Sequence, residues 1–110
     1  MGFSDAVKRC FSRYVQFEGR AARPEYWWFA LFVLLVSAAA RILGDVVNAL
    51  TVLVTFLPSI AVGVRRLHDT GRSGFWLLLW FVPVVGWIIV LIFLVQPGLP
   101  DPNAYGPPDA

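Results

Sequence analysis

Three long apolar runs dominate the chain. They are Tyr26 to Leu43 (YWWFALFVLLVSAAARIL), Val46 to Val64 (VVNALTVLVTFLPSIAVGV) and Phe75 to Val95 (FWLLLWFVPVVGWIIVLIFLV). Each is close to the ~20 residues that cross ~30 Å of hydrocarbon at 1.5 Å per residue. The third carries no charge, and the first two are slightly short, with Arg41 placed to snorkel toward headgroups. The pattern predicts transmembrane helices over 26–43, 46–64 and 75–95. The first run also resembles a signal-peptide core ahead of a small-residue cleavage site. However, about 25 residues precede it, and Pro24, Tyr26, Trp27 and Trp28 crowd its start, which favours a retained helix.

Ahead of the spans the period changes. Phe3, Ala6, Val7, Cys10, Phe11, Tyr14 and Phe17 recur at three- and four-residue steps, while Lys8, Arg9, Ser12, Arg13 and Gln16 fill the opposite face. This predicts an amphipathic helix over 4–17, lying in a membrane surface or packed on a partner, with Ser4 or Asp5 as its cap. Gly19 breaks that helix, Pro24 suits the first turn of the next, and Glu25 sits at its dipole-positive end. At the other end, residues 96–110 hold five of the eight prolines and predict an extended or disordered tail. The fold class expected is an all-α membrane protein: one N-terminal amphipathic surface helix plus three transmembrane helices, residues 1–95 forming the membrane domain.

Composition agrees with a bilayer solvent. Apolar residues make up 58% and charged residues 15%, against about 25% charged in an average soluble domain. Single copies of cysteine (Cys10) and histidine (His68) exclude an intrachain disulfide and a Cys/His metal cluster within one chain. No cofactor signature and no nucleic-acid partner are indicated. Eight of the nine lysines and arginines precede the first run or lie between the second and third. The positive-inside rule makes that face cytoplasmic, which with three spans puts the N-terminus inside and the C-terminus outside.

The chemistry concentrates in VRRLHDTGRSGFW, residues 64–76. Arg65, Arg66 and Arg72, with Arg20 and Arg23 approaching from the first span and His68 nearby, are candidates for an anion or lipid-headgroup site, since guanidinium forks suit phosphate oxygens. The alternative is that they only set topology. Asp69 is expected to clasp this corner by ion pairing. His68 beside Asp69 invites an acid–base reading, but adjacent loop residues rarely face each other and no nucleophile accompanies them. Pro58 and Pro83, with Gly86 after the latter, predict kinks at similar depth. Paired broken helices can frame a substrate site, although in a three-span chain transport would need an oligomer or partner.

The successive motifs FEGRAARPEYWWF, LPSIAVGVRRLHDTGRSGFW, PVVGWIIVLIF and PNAYG resemble, in order and spacing, the bacterial inner-membrane family catalogued as domain of unknown function 805. The likeness runs from about Phe11 to Gly106, with one departure at Phe75, where tryptophan is expected directly after the glycine. It implies a small polytopic inner-membrane protein and no particular activity. The expectation is therefore a non-enzymatic protein binding anionic phospholipid at a cytoplasmic arginine corner, with a homo-oligomer or a membrane protein as possible partners. The alternative is a small transporter or lipid-translocating subunit.

Overall fold

The computed structural model describes residues 2–106. α1 (Phe3–Ser12) begins at Gly2, so Ser4 and Asp5 lie inside the helix and neither caps it. It ends five residues before the expected 17, because the chain must turn there to carry Arg20 and Ala21 into the interior. Its apolar face packs on the chain itself. Phe3 meets Trp28 edge-on at 5.8 Å, and Phe11 meets Phe29 and Phe32 at 5.5 and 5.7 Å.

α2 (Arg23–Leu43) starts with Pro24 in its first turn. There its missing N–H removes no intrahelical bond. α3 (Asp45–Asp69) follows after Gly44 alone, whose φ of +123° is open to glycine and costly for other residues. The two helices pack antiparallel, with Ala21 next to Arg65 and Phe29 next to Val62. α3 runs through Pro58 without interruption and past the expected 64, so Arg65 to Asp69 are helical rather than part of a loop. Both helices are long and apolar enough to cross a membrane, by length and composition. Only 11% and 28% of their apolar windows are buried, unlike the core helices of a soluble protein.

The third apolar run is not one helix. Gly74–Phe81 forms a 3-10 helix, Val82 is extended, Val84 turns the chain, and α4 (Val85–Val95) returns. Trp76 lies against Phe93, the Trp87 indole donates to the Trp80 carbonyl, and Leu79 abuts Gly86. Residues pairing from opposite directions in this way define an antiparallel hairpin. Eight residues at about 2.0 Å and eleven at about 1.5 Å give arms of roughly 16 Å, half a hydrocarbon core. The expected third span over 75–95 is corrected accordingly.

Pro83 is the cause of the break. It supplies no N–H, its ring clashes with a helical carbonyl four residues back, and it drives Val82 out of helical geometry. Val84 then adopts φ 64° and ψ −67°, with Val85 N–H donating to the Pro83 carbonyl at 2.7 Å. This is a γ-turn of the strained type. Gly86 lets the arms close, since a Cβ there would overlap the Leu79 carbonyl.

The hairpin brings the chain back to the end where α2 begins and α3 finishes. Residues 96–106 therefore pack on that end, joined to Arg20, His68 and Asp69. This corrects two expectations: the tail through Gly106 is built into the structure, and it sits on the same side as the arginine corner rather than opposite it. Residues 107–110 of the expected tail lie outside the described residues.

Val84→Gly is expected to relieve the left-handed strain and stabilise the protein by about 1 kcal/mol. Gly86→Ala should lower the thermal midpoint in detergent by forcing the two arms apart. Opposite signs for these neighbouring changes would verify the hairpin, whereas a continuous third helix predicts stabilisation by the alanine.

Candidate functional site

The corner is built from four segments: the loop after α1, the last turn of α3, the end of α4 and the tail. Asp69 lies at its centre. Its Oδ1 accepts from Arg20 Nε at 2.9 Å and its Oδ2 from Arg66 Nη1 at 3.0 Å. All three residues are buried. One carboxylate between two guanidiniums leaves a positive excess, and backbone oxygens supply the rest of the compensation. Arg20 donates to the carbonyls of Leu99, Asp101 and Gly106 and to that of Asp69 itself. Arg66 donates to Leu94 at 3.1 Å, to Ala21 at 3.5 Å and to Gln96.

These contacts also finish α4. The last carbonyls of any helix lack intrahelical donors and carry the negative end of its dipole. Here Leu94 receives the Trp27 indole N–H at 3.2 Å as well as Arg66, and Val95 receives Arg23 at 3.5 Å. Arg72 bonds the Gln96 side chain at 2.9 Å, and its guanidinium lies 4.0 Å over the Phe93 ring.

A second ionic group sits beside the first. Arg65, fully buried, pairs with Glu25 Oε2, while Arg9 approaches Oε1 at 3.5 Å. Arg65 Nε and Nη2 make no hydrogen bond among the described residues, so Glu25 carries most of the compensation. Cys10 lies against the same carboxylate, its Sγ 3.9 Å from Oε2. Burial, followed by the Glu25 charge, pushes the Cys10 thiol up to about 12.

His68 does not face Asp69. Its Nδ1 is 2.9 Å from the Gly19 carbonyl, which assigns the ring proton to that nitrogen. Tyr105 stacks on the imidazole at 3.9 Å with an interplanar angle of 3°, and Asn103 donates to the His68 carbonyl.

The structure therefore brings together Arg20, Arg66, Asp69 and His68, places Arg65 in the neighbouring Glu25 pair, and leaves Arg23 exposed and Arg72 half-buried at the rim. Pro58 is buried within α3, while Pro83 and Gly86 sit at the hairpin turn. Sequence reasoning missed Glu25, Trp27 and the tail residues Asn103 and Tyr105. A carboxylate opening an apolar helix beside Tyr-Trp-Trp was the available signal for Glu25, and PNAYG, otherwise unexplained within a proline-rich tail, was the signal for the last two.

Removing one partner of a buried ion pair leaves an uncompensated charge, at a cost of about 3–5 kcal/mol. Glu25→Gln is expected to lose that much in unfolding from detergent micelles, and Glu25→Leu with Arg65→Met to recover most of it. Stability should also fall with pH between about 9 and 12. Below this window the thiol of Cys10 is protonated in both states, and within it only the unfolded thiol ionises. Cys10→Ala should flatten that alkaline slope.

A family model described as a protein of unknown function (DUF805) matches residues 14–107. The inner membrane protein YhaI of Escherichia coli is 44% identical over 100 residues, covering 84% of this chain and 85% of its own length. The inner membrane protein YhaH of the same organism is 38% identical over 114 residues, covering 94% of each chain. An uncharacterized protein, YiiR, is 41% identical over 80 residues, 67% of this chain and 53% of its own length. No solved structure matches the chain.

Proposed function

The chain belongs to the DUF805 family, and from that premise we propose that it is a non-catalytic inner-membrane protein whose cytoplasmic end binds anionic phospholipid through its outer cations. The observation that carries this is the distribution of charge. Eight of the nine lysines and arginines gather at one end of the fold, against five carboxylates among the described residues there, while Arg41 and Asp45 offset one another at the far end. Arg20, Arg65 and Arg66 are committed to buried partners and serve as the frame. The headgroup contacts fall to the exposed Lys8 and Arg23 and the half-buried Arg72, each cation near an anionic surface contributing about 1 kcal/mol.

Two features support a non-catalytic reading. The His68 ring is engaged by Gly19 and covered by Tyr105, and both oxygens of Asp69 are taken by arginines. Both groups thus have structural partners, the imidazole Nδ1 in Gly19 and the Asp69 oxygens in Arg20 and Arg66. The proposed topology has α2 and α3 crossing the bilayer, the hairpin entering and leaving from the cytoplasmic side, and both termini cytoplasmic. The relatives named inner membrane proteins support the location.

The test is native mass spectrometry of protein released from nanodiscs of mixed phosphatidylcholine and phosphatidylglycerol. Wild type is expected to retain phosphatidylglycerol preferentially, and Arg23→Gln with Arg72→Gln to lose much of that preference without unfolding. Equal retention by both would sink the rim assignment. For topology, Ala104→Cys in a Cys10→Ser background should be shielded from impermeant thiol reagents in intact cells and labelled in inverted vesicles. Labelling in intact cells would place the tail outside.

A further inference from the structure

Between α2 and α3, on the side where α1 docks, lies an apolar groove of about 220 Å³. Phe11 of α1 roofs one end of it. Phe32 and Val36 form one wall, and Leu50 and Val54 form the other. Along α3 the groove runs from Thr55 to Val47, about 12 Å at 1.5 Å per residue. Its two hydroxyls are already used: Thr51 donates to the Val47 carbonyl and Thr55 to the Thr51 carbonyl, each at 2.8 Å. An alkyl chain in the groove therefore leaves no polar group without a partner.

The groove has a direction. Its roofed end belongs to α1, and the cations of this fold gather at that end, while the other end runs away from them toward the start of α3. Around α1, successive residues turn by about 100°. Phe11 thus lies on the flank of Lys8 and Ser4, opposite the flank on which Arg9 meets Glu25. Lys8 is exposed, so a cation stands beside the mouth of an apolar slot whose axis leads into the hydrocarbon. A phospholipid of the cytoplasmic leaflet has that same polarity, headgroup at the interface and chain running inward.

We propose that this groove holds one acyl chain of an anionic phospholipid whose headgroup is bound by Lys8. The assignment rests on the anionic-lipid reading above and adds to it a specific, non-annular site. Three walls distinguish it from the open helix faces, because a chain seated there touches α1, α2 and α3 at once. Contacts on several sides strengthen dispersion attraction over a single flat face.

The experiment uses the full chain in nanodiscs of phosphatidylcholine with a minor fraction of phosphatidylglycerol, read by native mass spectrometry after release. Val54→Trp fills the groove from an exposed position, and Leu50→Trp does so from the next turn, so that one of them serves if the other fails to fold. Lys8→Gln removes the headgroup contact, and Arg23→Gln with Arg72→Gln reports on the rim. The groove is supported if either tryptophan variant loses one retained phosphatidylglycerol per chain while the rim variant keeps that one, and if Lys8→Gln loses the same single phosphatidylglycerol while the lipids held by the rim stay enriched. Unchanged retention by both tryptophan variants overturns the groove and leaves the rim reading standing. A wild type with no preference for phosphatidylglycerol overturns both.

Discussion

Asp69 is the residue on which the arginine-rich end of the fold depends. A carboxylate and two guanidiniums are held out of water around it, and each ion taken from water costs several kcal/mol unless its partners are well placed. The two arginines still have donors to satisfy, and the nearest acceptors are backbone carbonyls. Arg20 collects those of the tail, and Arg66 collects those at the end of α4. One ionic constraint thereby joins segments that lie far apart in sequence. Glu25 and Arg65 repeat the arrangement between α1, α2 and α3.

The hairpin follows from the same need to satisfy polar groups. Within hydrocarbon, irregular backbone is tolerated only where its donors and acceptors find partners. At the turn, Val85 and Gly86 donate to Pro83 and Val82, and the Trp87 indole covers the Trp80 carbonyl. At the base, arginines and Trp27 cap the final carbonyls of α4. Both ends of a helix too short to span a bilayer are thus provided with partners, and the chain returns to the end of the fold that it left.

The cations divide into two populations. Those facing inward hold the frame and those facing outward lie at the rim, which is why a tally of arginines by itself does not locate a binding site. The His68–Tyr105 stack has the same character, because it fastens the tail over the corner and uses the imidazole as a flat surface and a hydrogen-bond donor.

Several features were legible in the residues alone. Apolar run length and the clustering of lysine and arginine depend only on composition along the chain, so the all-helical class, the extents of α2 and most of α3, and the shared end of the cations could be read directly. So could the family, from motifs in fixed order. The third run misled because hydropathy sums apolar side chains without regard to backbone geometry. Twenty-one apolar residues read alike as one helix or as two shorter arms, and proline is common enough in membrane helices that Pro83 did not decide between them. The arginines misled because a guanidinium can be compensated by carbonyls, which every residue carries, so no sequence pattern marks their partners. The tail misled because its anchoring comes from Arg20, some 80 residues earlier. The sequence by itself determined which segments prefer hydrocarbon and which end carries the positive charge. Only the tertiary structure decided whether an apolar run continues as one helix or turns back, and whether a cation faces outward or into the protein, because both depend on which polar groups meet in space.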